Sequence, residues 1–165
     1  MGSEMCIRDS TNEAHDTYYV YDLYGNLTYV IPPLVTNPTA QLDDLCYQYK
    51  YDSRNRMVEK KLPGKQWEFI VYDKIDRVVA TGPALSPFGG TQTGYLITKY
   101  DALNRAVYTG WLQTTTTRAS MQSQYNAAAT VVSETKAKVG VTVMVDNIGI
   151  GYTNLVIPTL SLIHI

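Results

Sequence analysis

Between Thr17 and Trp111 the chain alternates residue by residue between apolar or aromatic and polar positions, in short runs separated by polar breaks. A period of two is the mark of a half-buried strand. It predicts four hairpins: Thr17–Asp22 with Asn26–Ile31, Cys46–Asp52 with Arg56–Lys61, Trp67–Asp73 with Arg77–Thr81, and Tyr95–Asp101 with Arg105–Trp111. Pro32-Pro33 ends the first, because proline has no N–H to donate to a ladder. Residues 34–40 read as a loop, Gln41–Leu45 as a short helical turn and Leu62–Lys65, with its Pro-Gly pair, as a tight turn. Gly82–Gly94, carrying two prolines and further glycines, reads as a flexible loop.

After Trp111 the pattern changes. Met121, Tyr125 and Ala128 recur at helical spacing behind Thr117, a side chain suited to an N-cap, and predict one short helix over Arg118–Ala128. Thr130–Thr135, Val141–Val145 and Ile148–Val156 are rich in β-branched residues and read as further strands, with turns at Asp146-Asn147 and Gly149–Gly151.

The breaks inside the four hairpins obey one grammar: Tyr-Asp, two variable residues, Gly, Asn or Asp, then Arg or Asn, then an apolar residue. The copies begin at Tyr21, Tyr51, Tyr72 and Tyr100, and Tyr152-Thr153-Asn154 does not complete a fifth. Asp favours the first position of a type I turn, where its carboxylate accepts backbone N–H groups further along. The residue three places on, Gly25, Asn55, Asp76 or Asn104, belongs to the three residue types that best tolerate positive φ. A type I turn followed by a left-handed residue closes a three-residue hairpin loop with a bulge. That geometry predicts the cross-strand pairs Tyr21–Leu27, Tyr51–Met57, Tyr72–Val78 and Tyr100–Ala106. Opposite faces differ between hairpins. In the second, Gln48, Lys50, Arg56, Val58 and Lys60 suit water, whereas Phe69, Val71, Arg77 and Val79 in the third suit partial cover.

Composition supports an all-β reading, since 14 Tyr stand against 2 Phe and aromatic residues favour pleated surfaces. A net charge of -1 over 165 residues gives no field that would draw nucleic acid or an anionic membrane, and no apolar run is long enough to span a bilayer. Cys6 and Cys46 fit neither a metal-binding nor a redox spacing, and Cys46 reads as a buried small hydrophobe. Residues 1–14 and 160–165 lie outside the repeat pattern and are set aside as non-native-looking tails, leaving the hairpins at 15–112 and a distinct segment at 113–159 read as an insertion.

Chemistry is sparse. Gly89-Gly90 and Gly149–Gly151 lack the context of a phosphate loop, adjacent Asp43-Asp44 point apart, and His15-Asp16 has no nucleophile at a recognisable spacing. The repeated Asp22, Asp52, Asp73 and Asp101 are accounted for as turn caps. No residue set implies a catalytic site, a metal or a cofactor. Trp67 and Trp111, with the tyrosines, leave open an aromatic surface that stacks on sugar rings.

The four-copy phrase resembles the YD repeat of bacterial Rhs proteins, a family that includes the C components of Tc toxins and the animal teneurins. The likeness covers His15 to about Gly110, with Asn or Asp in three copies where the family often has Gly; residues 114–159 carry no family signature. It implies consecutive antiparallel hairpins forming part of a spiralling sheet or shell of a secreted or cell-surface protein. The chain's partners would then be neighbouring repeats and an encased C-terminal effector, or surface glycans in an adhesion role. Repeat units bury their cores against neighbours, so four hairpins alone are expected to be marginally stable or poorly soluble.

Overall fold

The computed structural model describes residues 3–8, 14–138, 140, 142–145 and 148–155. The chain divides into two compact units at the Glu68–Phe69 bond. The first contains β1 (Ser3–Arg8), β2 (Ala14–Tyr21), β3 (Leu27–Ile31), α1 (Leu42–Leu45), β4 (Tyr47–Tyr51) and β5 (Met57–Lys61). The second contains all but the first residue of β6 (Glu68–Tyr72), with β7 (Val78–Leu85), β8 (Thr93–Tyr100), β9 (Ala106–Gln113), α2 (Arg118–Ala127), β10 (Val143–Val145) and β11 (Ile148–Ile150). Through β9 consecutive strands within each unit are antiparallel neighbours and the order never returns to its start, so neither ladder closes; β10 and β11 pair with each other in a separate two-stranded sheet. The fold is all-β, made of consecutive hairpins with one short helix besides the single turn α1.

All four predicted cross-strand pairs form: Tyr21 opposes Leu27, Tyr51 opposes Met57, Tyr72 opposes Val78 and Tyr100 opposes Ala106. Immediately beyond each pair the register shifts by one residue. A one-residue bulge moves every later side chain of that strand to the other face. The second hairpin therefore departs from expectation. Past bulged Val58, Lys60 opposes Tyr49 and Lys61 opposes Gln48, so Lys60 does not share a face with Gln48. Nor is that face uniformly wet: Gln48, Val58 and Lys61 are buried. Gln48 Nε2 donates to the Leu42 carbonyl of α1 and to Asp43 Oδ1 at 3.0 Å, and Lys61 Nζ lies 2.6 Å from the same oxygen.

In the second unit the core sits under α2. Val71, Val79, Ala80, Tyr95, Ile97 and Leu112 from the strands pack with Met121 and Tyr125 from the helix, so the cover expected for the third hairpin is α2 itself. The helix starts as its sequence predicts, with Thr117 Oγ1 accepting from the Ser120 amide at 3.3 Å. Gln122, also buried, accepts from the Tyr72 amide with Oε1 at 3.0 Å and donates to the Tyr72 carbonyl with Nε2 at 2.7 Å. One side chain thus satisfies both backbone groups of a strand residue, as a neighbouring strand would.

Three stretches differ from the sequence expectation. Ser3–Arg8, in the stretch set aside, forms β1 along the edge of β2, as an unpaired edge permits for any extended segment. Only the middle of Gly82–Gly94 is a loop: β7 runs on to Leu85 and β8 begins at Thr93, leaving residues 86–92 between them. Gly89 and Gly90, which suggested flexibility, do lie in that loop, whereas the bounding glycines serve close packing: a Cβ on Gly94 would lie 2.0 Å from the Leu112 carbonyl oxygen and one on Gly82 would lie 2.7 Å from the Tyr95 ring. Pro83 falls in the register break between Thr81 and Ala84, where a missing N–H breaks no ladder bond. Thr130–Thr135 is not a strand; its Glu134 makes an isolated parallel bridge to Asp101, with the Glu134 amide donating to the Tyr100 carbonyl at 2.8 Å. Of the two later strands, only the cores at β10 and β11 appear, and the Asp146-Asn147 turn, Val141, Val156 and residues 160–165 lie outside the described residues.

Candidate functional site

The repeated turns are one structure built four times. In each, the Asp carbonyl accepts from the residue three on (3.0–3.2 Å) and the Asp amide donates to the carbonyl four on (2.9–3.0 Å). Oδ1 of Asp22, Asp52, Asp73 and Asp101 accepts the amides two and four residues on, at 2.8–3.1 Å. The left-handed positions are Gly25 (φ 83), Asn55 (φ 57), Asp76 (φ 67) and Asn104 (φ 62). This geometry sets an expected result: Asn104→Gly keeps the backbone conformation and loses only the side-chain acceptor of Arg77 Nη1, so its urea midpoint falls less than that of β-branched Asn104→Val, which costs about 1–3 kcal/mol more because Val resists positive φ.

The sequence phrase understated its sixth residue. Arg56 Nε, Arg77 Nε and Arg105 Nε donate to Oδ2 of their own Asp at 2.8, 2.6 and 2.7 Å, and Asn26 Nδ2 does the same to Asp22 at 2.9 Å. In two places this residue also reaches the left-handed residue of the following turn: Asn26 Nδ2 to Asn55 Oδ1 at 3.2 Å, and Arg77 Nη1 to Asn104 Oδ1 at 3.1 Å. Arg77 further donates to the Asp101 and Val132 carbonyls, and its guanidinium lies 4.8 Å from the centre of the Tyr100 ring.

These bonds hold several carboxyls below the ordinary carboxylate range. The chief causes are the Asn26 side chain for Asp22, Lys61 for Asp43 and the Arg105 amide for Asp101. At Asp52, burial opposes the shift but is outweighed by bonds from Arg56 and Arg54. A carboxyl whose folded pKa lies below its unfolded value of about 3.9 stabilises the fold above that value and loses the contribution as pH falls through the folded pKa. Stability measured by urea unfolding is therefore expected to be nearly flat from about pH 7 to 5 and to fall steeply below about pH 4.

Among the other residues singled out, Trp111 is buried, with Nε1 donating to the Ala84 carbonyl at 3.1 Å, and is not available to stack on a sugar. Trp67 is half-buried with the Lys50 ammonium 4.3 Å from its ring centre. Cys46 is buried, which raises its thiol pKa. The His15 side chain lies outside the described residues, as does that of Cys6. Asp44 has no partner in common with Asp43, which pairs with Lys61. Gly89 and Gly90 sit at positive φ in the loop between β7 and β8.

A cluster that sequence reasoning missed lies in the second unit. Lys99 continues the inward row of Tyr95 and Ile97 on β8, and its Nζ lies 3.2 Å from Glu134 Oε1, the two side chains being 5% and 1% exposed. Lys99 Nζ also donates to the Leu155 carbonyl and, at 2.5 Å, to Asn154 Oδ1. Tyr108, opposite Lys99 on β9, donates its hydroxyl to the same Asn154 oxygen at 2.5 Å. Glu134 accepts from Thr153 Oγ1 at 2.6 Å and, through both oxygens, from the Leu155 amide at 3.0 Å. A cavity of about 20 Å³, water-sized, adjoins the pair and is lined by Val79, Tyr100, Tyr125 and Val132 among others. Burial lowers the Lys99 pKa against the opposing pull of Glu134, and raises that of the Tyr108 hydroxyl. The legible signal was a lysine at the i, i+2, i+4 position of an otherwise apolar face. Its partners, 35 and 55 residues away in the segment without a pattern, gave none.

Among the described residues no group of three or more His, Cys, Asp or Glu is placed to hold a metal ion, and no helix is long and apolar enough to cross a membrane. Compared with models of protein families and with curated proteins, the chain matches none.

Proposed function

We propose that this chain is a non-catalytic structural segment of a large secreted or cell-surface protein of the Rhs/YD-repeat kind, building part of the wall of a β-shell that encases a C-terminal effector. The observation that carries this reading is the uniform turn, repeated four times, whose sixth residue is spent on its own Asp cap and, in two places, on the next turn. Such a device propagates a wall; it leaves the most regularly repeated charged groups paired with each other and directed at no substrate.

In the longer protein to which the hairpins are assigned, electron cryomicroscopy is expected to show a hollow casing with these hairpins in its wall. A solid particle or an open filament would overturn the reading. A glycan array probed with the purified chain is expected to be silent. Binding that Trp67→Ala abolishes without moving the unfolding midpoint would establish an adhesion module in place of a casing.

A further inference from the structure

We propose that Lys99 and Asn154 join in an intramolecular isopeptide bond, with Glu134 moving the proton and Tyr108 holding the amide oxygen. The three groups needed for amide exchange converge at one point: a buried amine, a carboxamide and a buried carboxylate. Lys99 Nζ sits 2.5 Å from Asn154 Oδ1. The amide carbon is one bond of about 1.2 Å from that oxygen, so amine and carbon are no more than about 3.7 Å apart. The separation is close to the roughly 3–3.5 Å of a near-attack pair, and the amine, which donates to the oxygen, has only to swing from the oxygen to a position above the carbonyl carbon.

Each neighbour has a role in the exchange. Glu134 Oε1, 3.2 Å from the ammonium, takes its proton and frees the lone pair. Burial, which disfavours the charged amine, works in the same direction. Tyr108, donating to Asn154 Oδ1, polarises the carbonyl and stabilises the oxygen as it gains charge in the tetrahedral intermediate. Thr153 Oγ1 and the Leu155 amide hold the Glu134 carboxylate in place. The Nζ–Cγ bond forms, the Cγ–Nδ2 bond breaks, and Glu134 passes two protons in turn from Nζ to the departing nitrogen, the first taken before attack and the second from the tetrahedral intermediate. The balance is Lys–NH₃⁺ plus Asn–CONH₂ giving the secondary amide plus NH₄⁺, with no oxidant, reductant or cofactor.

The other buried lysine offers a contrast. Lys61, Gln48 and Asp43 carry the same three functional groups, but the Asp43 side chain is 72% exposed and both Lys61 and Gln48 are directed at that carboxylate. There the acid itself is open to water and the amide nitrogen of Gln48 is engaged as a donor to it, whereas at the Lys99 site the acid is 1% exposed although Asn154 is exposed. No bond is expected at that site. The product at Lys99 would tie the segment after α2 covalently to β8, closing a loop between positions 55 apart in sequence. The inference rests on this cluster alone and is independent of the casing reading.

Intact-mass spectrometry of the purified full chain tests it. The expected mass is lower than that of the sequence by one ammonia, about 17 Da. Lys99→Arg, Asn154→Ala and Glu134→Gln should restore the full mass, and Tyr108→Phe should slow the conversion. Because an Asn cyclising onto its own backbone also loses ammonia, tandem mass spectrometry of a tryptic digest is required. It should find a branched peptide linking Lys99 to Asn154, with no cleavage after Lys99. Folded wild-type chain at its full mass, or a loss of ammonia found only in linear peptides, would overturn the proposal. These wild-type readings decide the matter even if a variant fails to fold.

Discussion

Asp73→Ala is expected to cost about 3–5 kcal/mol, enough to unfold a chain of marginal stability, whereas Asp22→Ala should move the urea midpoint far less. The two residues occupy the same place in the same turn and differ in surroundings. Asp73 and Arg77 are 6% and 8% exposed and lie 2.6 Å apart, while Asp22 has only the uncharged Asn26 as side-chain donor. Removing Asp73 strands the buried Arg77 guanidinium and leaves the amides of Ile75 and Arg77 without their acceptor. Breaking a buried pair from one side costs more than replacing both partners with apolar groups. The double variant Asp73→Ala/Arg77→Met should therefore regain part of the loss. Equal costs at Asp22 and Asp73 would show that the turn cap alone, and not the buried pair, matters.

Gly94→Ala is expected to be as damaging, at about 3 kcal/mol or more, through a different mechanism. The added Cβ would meet the Leu112 carbonyl oxygen at 2.0 Å and the Trp111 ring at 3.0 Å. Backbone cannot swing aside as a flexible side chain can, so β8 and β9 must separate locally, and overpacking of this kind exceeds the usual 1–3 kcal/mol. The same substitution at Gly25, where nothing lies within 4 Å, acts only through its φ of 83°. Urea unfolding of the two variants side by side separates steric from conformational cost. A mild Gly94→Ala would mean that the β8–β9 spacing is looser than the register implies.

Much of this fold was legible because its turns are local. Everything needed to place Tyr51 opposite Met57, or Asn55 at positive φ, lies within seven residues, and the same rule was written four times. What failed were inferences carried across a bulge. Lys60 was assigned by counting in twos from Arg56, and the extra residue at Val58 reversed the count. The packing roles of Gly82 and Gly94 were missed for a related reason. Glycine reads as freedom when seen in sequence, and only the approach of Leu112 and Tyr95 turns it into a packing requirement. The lysine cluster was least legible, since Lys99 meets Glu134 and Asn154 through chain closure over long distances, and reading their stretches as strands said nothing of what they would meet.

The turn-to-turn bonds run in one direction along the chain. Asn26 addresses Asn55 and Arg77 addresses Asn104, each donor reaching toward the turn that follows. Within each unit such a pair of turns has a direction, and its natural unit of change is the whole hairpin, because donor and acceptor each hold a fixed place in the seven-residue phrase. Adding a single residue inside a seven-residue phrase scrambles them. Arg105 spends its guanidinium on its own Asp101, with its side chain 65% exposed. Length in such a protein is a countable quantity, adjusted in integers.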